Sequence, residues 1–217
     1  MAQPKNIEFD KKYFRLNENI EYLIGLDEAG RGPLAGPLLV ALFVTRRTEN
    51  NHIKEITDSK NISENKRESL FKKIKNSETN YWDYLEISPK TIDKTDIYSS
   101  TLRGMNKLIE KLPNEISSRS LILTDAMDLK INNIPYIKII KGDLKSYTIG
   151  AASIIAKVIR DRIMKKISKK YPKYGFEKNK GYGTKEHIKA IEKFGPTPHH
   201  RMSFKPLKKD VNKKFDL

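Results

Sequence analysis

Two apolar, partly β-branched segments, EYLIGLD (21–27) and LLVALFVT (38–45), flank a loop of glycine and proline, and they constrain the fold more than any other feature. Both read as strands joined by that loop. An aromatic run, NYWDYLEI (80–87), makes a third strand. The pattern then changes. SPKTIDKTDIYSSTLRGMNKLIEKLPN (88–114) reads as a helix that opens on Ser88-Pro89 and closes at Pro113. SLILTDAM (120–127) and PYIKIIKGD (135–143) follow as strands, and SYTIGAASIIAKVIRDRIMKKISKKY (146–171) as a long helix. Gly150, Ala151, Ala152 and Ser153 are small enough to let that helix lie close to a sheet. Three early strands followed by alternating helices and strands predict an α/β protein: a mixed five-stranded sheet, antiparallel strands first, flanked by helices.

The connecting segments add surface helices. DSKNISENKRESLFKKIKNS (58–77) offers Ser63 as an N-cap, with Leu70, Phe71 and Ile74 on one helical face. A short helix is expected from about 184 to 194, stopped by Gly195-Pro196. The 217 residues suit one domain. Its expected organisation is an N-terminal segment (1–20), a core (21–171), a C-terminal helical and loop extension (172–204) and a basic tail (205–217).

With 43 Lys+Arg against 27 Asp+Glu the chain carries a net charge of +16, a field that attracts polyanions. The absence of cysteine excludes disulfides, thiol catalysis and thiolate metal sites, and fits a reducing compartment. No apolar signal-peptide core opens the chain, and the longest apolar run, LLVALFV, is far short of the roughly 18 residues that span a bilayer. These features lead us to expect a cytoplasmic protein, monomeric and without a membrane partner.

Against that basic background, acids recur where apolar strands stop: Asp27-Glu28 after the first, Asp125 after the fourth, Asp143 after the fifth. In open α/β sheets sites form outside strand ends, so these ends can bring four carboxylates together. Such oxygens suit hard divalent ions, which in pairs clamp the attacking and leaving oxygens of a phosphodiester. Adjacent strand residues face opposite sides, so Asp27 and Glu28 are expected to converge only if the strand ends or bulges there. Asp128 in TDAMDLKI is a second acid near Asp125, but Asp125 sits at the strand end. Between the first two strands, Gly30, Arg31 and Gly32 read as a backbone cradle with a cation, suited to phosphate or ribose.

Taken together, GLDEAGRGPLAGP (25–37), TDSK (57–60), LTDAM, KGD (141–143), AASIIAKVIRDRIM (151–164) and KGYGTKEH (180–187) resemble the motifs of the ribonuclease HII family, in the family's order, from about Tyr22 to about Phe204. The resemblance implies a ribonuclease H-like catalytic core with a C-terminal helical extension. It also implies a Mg²⁺ or Mn²⁺ site, with two ions, built from Asp27, Glu28, Asp125 and Asp143. The implied substrates are RNA–DNA hybrids and duplex DNA holding a single ribonucleotide, cut on its 5′ side to leave 3′-hydroxyl and 5′-phosphate ends. The same resemblance gives Gly30, Arg31 and Gly32 the reading of the ribose 2′-OH, Tyr182 the sensing of the RNA-to-DNA junction, and Lys60 a phosphate contact.

Where many relatives have proline after the tyrosine, this chain has GYG, which leaves the expected loop less rigidly fixed. His199-His200 lack a third ligand at metal spacing, and Arg160-Asp161-Arg162 are expected to form local ion pairs. Two other enzyme readings are a ribonuclease HIII-like hybrid nuclease and a ribonuclease H-fold nuclease acting on DNA or junctions. The third is a basic nucleic-acid-binding protein without catalysis. The short segment before the first strand and the GRG sequence favour HII over HIII, and the four acids argue against a mere binding protein.

Overall fold

The apolar run at 38–45 becomes strand β2 (Leu38–Arg46), buried from Leu38 through Thr45. A strand covered on both faces needs no polar side, which is why its sequence is an unbroken hydrophobic run. β2 pairs antiparallel with β1 (Tyr22–Ala29) and β3 (Tyr81–Ile87). β4 (Ser120–Asp125) runs parallel to β1, and β5 (Tyr136–Ile139) parallel to β4, giving the order β3-β2-β1-β4-β5. The sheet is therefore the mixed five-stranded one expected. The computed structural model describes residues 4–48, 52–56, 62–77, 79–131 and 133–208.

The helices are α1 (Lys5–Leu16), α2 (Glu64–Lys75), α3 (Pro89–Lys94), α4 (Ile97–Glu110), α5 (Asn114–Ser117), α6 (Gly142–Lys145), α7 (Tyr147–Lys170), α8 (Phe176–Asn179) and α9 (Lys185–Phe194). Alternation along β2 splits the core between them. Leu38, Val40, Leu42 and Val44 pack with Met105 and Leu108 of α4 on one side of the sheet. Leu39, Ala41 and Phe43 pack with Leu70 and Phe71 of α2 and Ala151 and Ile155 of α7 on the other. Gly25 lets α7 lie against β1, since a Cβ there would collide with the backbone of Thr148 and Ile149.

Local sequence explains where the elements depart from expectation. The single helix expected over 88–114 is broken after α3, because the Asp96 carboxylate accepts the Ser99 N–H at 2.7 Å and caps a new helix, α4. β5 stops at Ile139: Lys141 adopts a left-handed φ of 57°, and the chain turns into α6. Asp143 is consequently in a helical turn and not at a strand end. The N-terminal segment, left unassigned from sequence, contains α1. Its inward stripe of Ile7, Asp10 and Phe14 includes an acid, which hides it from a reading based on apolar periodicity. Asp10 is buried and accepts bonds from the N–H and the hydroxyl of Thr148, in the first turn of α7.

Ser63 caps α2 and Thr184 caps α9, which ends at Gly195 as expected. Beyond α7, a 3₁₀ turn (Pro172–Tyr174), α8 and α9 close a smaller core of Met164, Ile167, Tyr174, Phe176 and Ala190. Among the described residues no helix is long and apolar enough to cross a membrane.

Candidate functional site

The parallel ladder between β1 and β4 pairs Leu26 with Thr124. The next residues, Asp27 and Asp125, therefore lie side by side just past the last paired rung, Asp125 as the final residue of β4 and Asp27 within β1. Asp125 Oδ1 accepts the Gly142 N–H at 2.8 Å, which ties β4 to α6 and brings Asp143 next in chain to that contact. β1 continues past Asp27 in register with β2, pairing Glu28 with Val40 and Ala29 with Leu39, so no bulge turns Glu28. Pairing with β4 has already stopped, however, and the open edge lets one cavity reach around the end of the strand.

That cavity has a volume of about 400 Å³ and is lined by Asp27, Glu28, Asp125, Gly30, Arg31, Gly32 and Tyr182, with Ser153, Lys157, Arg160 and Asp161 of α7. Three of the four expected acids, the GRG loop and Tyr182 thus line one cavity. Asp143 is not part of the lining; it is buried in α6, next in chain to Gly142. Lys60 lies outside the described residues. Asp128 is exposed and paired with Lys138 at 2.7 Å, so it does not compete with Asp125.

Negative charge accumulates at the floor of the cavity. Burial, and then the neighbouring charges of Glu28 and Asp125, hold the Asp27 carboxyl well above the usual carboxylate range, while a hydrogen bond from Ser153 pulls the other way. Arg31 Nη1 stands 3.3 Å from Glu28 Oε1. On the facing helix, burial lowers the Lys157 pKa, partly offset by Asp161. Among the described residues no three His, Cys, Asp or Glu side chains close into a ready-made metal cage.

Sequence reasoning missed the groups that hold the loop. Arg160 forms no local ion pair with its chain neighbours. It is buried and donates to the carbonyls of Pro37 (3.0 Å) and Ala35 (3.2 Å). Asp161 and Arg162 pair with other elements, Arg67 and Glu68 respectively. Gly30, at φ 91°, has no room for a Cβ against the Arg160 side chain. Arg201 is fully buried, and its guanidinium reaches the carbonyls of Gly30 (2.6 Å), Arg31 (2.9 Å) and Gly36 (2.9 Å). Ser153, Lys157 and Arg160 are spaced to share one face of α7, a periodic signal that was legible. Nothing local marked Arg201.

Tyr182 is half-exposed beside Gly32. Its loop is held without a proline: Gly181 N–H donates to Asn179 Oδ1 (2.8 Å), the Gly181 carbonyl accepts from Leu34 N–H (2.8 Å), and the His187 ring bonds the Tyr182 carbonyl (2.8 Å). His187 and His200 face each other, Nε2 to Nε2, at 3.0 Å.

A mixed sheet in this order, with Asp27 and Asp125 side by side where its central parallel ladder stops, defines a protein of the ribonuclease H fold. Solved structures agree. Ribonuclease H2 from Pyrococcus horikoshii OT3 superposes with a TM-score of 0.64 at 28% identity, over 87% of this chain and 96% of that one. A Bst-RNase HIII solved in complex with Mn²⁺ has the same fold, with a TM-score of 0.62 at 17% identity over 87% of this chain and 68% of its own. The description of one family, Ribonuclease HII, matches residues 24–207. The protein named Ribonuclease HII from Bacillus cytotoxicus is 44% identical over 198 residues, 91% of this chain and 74% of its own. The chain belongs to the ribonuclease HII family and is a ribonuclease H.

Proposed function

We propose that this chain cleaves the RNA strand of RNA–DNA hybrids and also cuts on the 5′ side of a single ribonucleotide embedded in duplex DNA, leaving 3′-hydroxyl and 5′-phosphate ends. The observation that carries the reading is one cavity lined by Asp27, Glu28 and Asp125 together with Gly30, Arg31, Gly32 and Tyr182. With those product ends the 2′-OH is not the nucleophile. It is a recognition mark, because that hydroxyl distinguishes RNA from DNA at a given position.

The donor set fits Mg²⁺ or Mn²⁺. It consists of hard oxygens at a place where burial, and then the neighbouring charges of Glu28 and Asp125, disfavour the charged form of Asp27. Mg²⁺ is commonly held by one or two carboxylates and keeps water and substrate phosphate as its other ligands. Asp27, Glu28 and Asp125, which line the cavity, would hold the ions, with Asp143 of α6, next in chain to the Gly142–Asp125 contact, as the fourth acid of the set. Two such ions, when bound, would supply an activated water and stabilise the departing 3′ oxygen.

The chain's own residues do the rest. The Gly30–Gly32 backbone presents polar groups to the ribose, and Tyr182 offers a flat face for the deoxyribose that follows. Arg31 and Lys157 place cations beside the acids, and Lys60 is assigned a phosphate contact. A nuclease that acts only on DNA has no use for a 2′-OH reader.

The test is cleavage of a duplex containing one ribonucleotide, with Mg²⁺, Mn²⁺ or chelator, mapped to the nucleotide. A single metal-dependent cut 5′ of the ribonucleotide is expected. Cleavage of duplex DNA lacking a ribonucleotide, or activity in chelator, would overturn the proposal. Tyr182→Ala should lower kcat/KM on the single-ribonucleotide duplex more than on an all-RNA hybrid, where no RNA-to-DNA step exists.

A further inference from the structure

The GRG backbone and Tyr182 come from opposite ends of the chain and share no strand or helix. A reader of one ribose and the sugar after it nevertheless needs them at a fixed spacing. Three segments meet to set it. Residues 34–36 lie in the middle: Leu34 and Ala35 N–H donate to the Gly181 carbonyl (2.8 and 3.2 Å) on the Tyr182 side. On the other side Gly36 N–H donates to the His199 carbonyl (2.8 Å), and Arg201 N–H to the Leu34 carbonyl (2.8 Å).

Side chains of two adjacent residues close the circuit. Arg201 gathers the carbonyls of Gly30, Arg31 and Gly36, as described above. His200 works toward Tyr182. The Thr197 N–H donates to His200 Nδ1 at 2.8 Å, so that nitrogen carries no proton and the neutral ring must be protonated at Nε2. His200 Nε2 then donates to His187 Nε2 at 3.0 Å, which leaves His187 its Nδ1–H to donate to the Tyr182 carbonyl at 2.8 Å. Both rings are buried, and every ring nitrogen is used. Of the adjacent His199 and His200, the second is thus accounted for by His187, with which its facing nitrogen shares a proton, and neither the His187 nor the His200 ring lines the cavity.

We propose that residues 197–201 are a brace that fixes the spacing between the GRG backbone and Tyr182, with His200 and Arg201 as positioning residues for discrimination of a single ribonucleotide. The inference rests on the reading of Gly30–Gly32 and Tyr182 given under the proposed function. It predicts a loss of selectivity beyond any loss of turnover, because neither residue contacts the acids that would hold metal.

The full-length chain carrying His200→Phe, His200→Gln, Arg201→Lys or Tyr182→Ala is assayed with Mg²⁺ on the single-ribonucleotide duplex and on an all-RNA hybrid. His200→Phe keeps a ring and removes both nitrogens. It should lower the ratio of kcat/KM values, single ribonucleotide over hybrid, by about tenfold, the same direction expected of Tyr182→Ala. His200→Gln restores an N–H near the Nε2 position and should recover part of that ratio. Arg201→Lys keeps the charge but cannot serve three carbonyls, so it should shift the ratio the same way. If His200→Phe does not fold, the two milder variants carry the test on the same ratio. An equal fold loss on both substrates for the His200 and Arg201 variants, with Tyr182→Ala still selective, overturns the brace and leaves the site reading standing. A Tyr182→Ala variant with no selective loss overturns both.

Discussion

Leu26 and Thr124 are the last paired residues of the parallel β1–β4 ladder, and this single register places Asp27 against Asp125. Burial makes charging Asp27 costly, and the nearby charges of Glu28 and then Asp125 add to that cost. The site is therefore built at the expense of stability, as functional sites often are.

Asp27→Asn should accordingly abolish turnover and stabilise the metal-free protein. An amide has nearly the same shape but is a poor ligand for a hard cation, and it removes the buried charge. A loss of at least a hundredfold in kcat is expected for Asp27→Asn and for Asp125→Asn, with binding of a ribonucleotide-containing duplex retained. In chelator near pH 8, Asp27→Asn should melt about 2–4 °C higher, the shift that 1 kcal/mol produces at this chain length. Near-wild-type activity at fixed metal concentration would remove either residue from the site.

Gly25→Ala tests how α7 is docked. The added methyl has no space against the backbone of Thr148 and Ile149, so the helix must move off the sheet. Overpacking of this kind costs about 1–3 kcal/mol. Since α7 also carries Ser153, Lys157 and Arg160 to the cavity, kcat/KM should fall with stability. Urea unfolding together with kinetics checks both, and a variant as stable as the parent would show that the contact is not tight.

Much of this architecture was legible because it is written in local pattern. β2 announced itself as a run buried on both faces, and α7 through its small residues. Asp27, Glu28 and Asp125 were legible because apolar runs stop at them; β4 does end at Asp125, whereas β1 runs on to Ala29 through its pairing with β2. Asp143 was selected by the same logic, yet it sits in α6, since the left-handed turn at Lys141 depends on no strong residue signal. α1 escaped because its buried face contains Asp10, whose partner Thr148 is far away in sequence. Arg201 escaped for a similar reason: what makes it buried and useful is a set of carbonyls from the other end of the chain.

The net charge of +16 implies salt-dependent association with nucleic acid. Each phosphate neutralised on duplex DNA contributes about −0.9 to the slope of log K against log salt. Binding of a ribonucleotide-free duplex should share most of that slope, because phosphate contacts carry no information about sugar type. Fluorescence anisotropy titrations between about 50 and 200 mM salt measure it. A flat response would separate the charge from substrate binding.

Two buried groups should tilt the pH dependence of stability in opposite directions. Burial raises the Asp10 carboxyl from 3.8 to about 6, against the hydrogen bonds from Thr148 and Ser146 and the charge of Lys12. Between those values the folded state binds more proton than the unfolded chain, so this group's contribution falls as pH rises through the window and is constant above it. His200 does the reverse. Burial, and then the proximity of His187, lower it from 6.5 to about 4, so the unfolded chain binds more proton between about 4 and 6.5. Its stabilising contribution is complete above 6.5 and is lost as pH falls toward 4. In the intact protein the two slopes offset each other, and single substitutions should expose them. Asp10→Asn should gain stability relative to the parent as pH rises from about 4 to about 6, by up to about 3 kcal/mol at roughly 1.4 kcal/mol per pKa unit. His200→Gln should instead lose ground relative to the parent over about the same range. Urea unfolding in chelator at half-unit pH steps measures both differences, and titrations common to parent and variant, including Asp27, cancel in the comparison. Variant curves parallel to the parent would mean that neither group changes its protonation on folding.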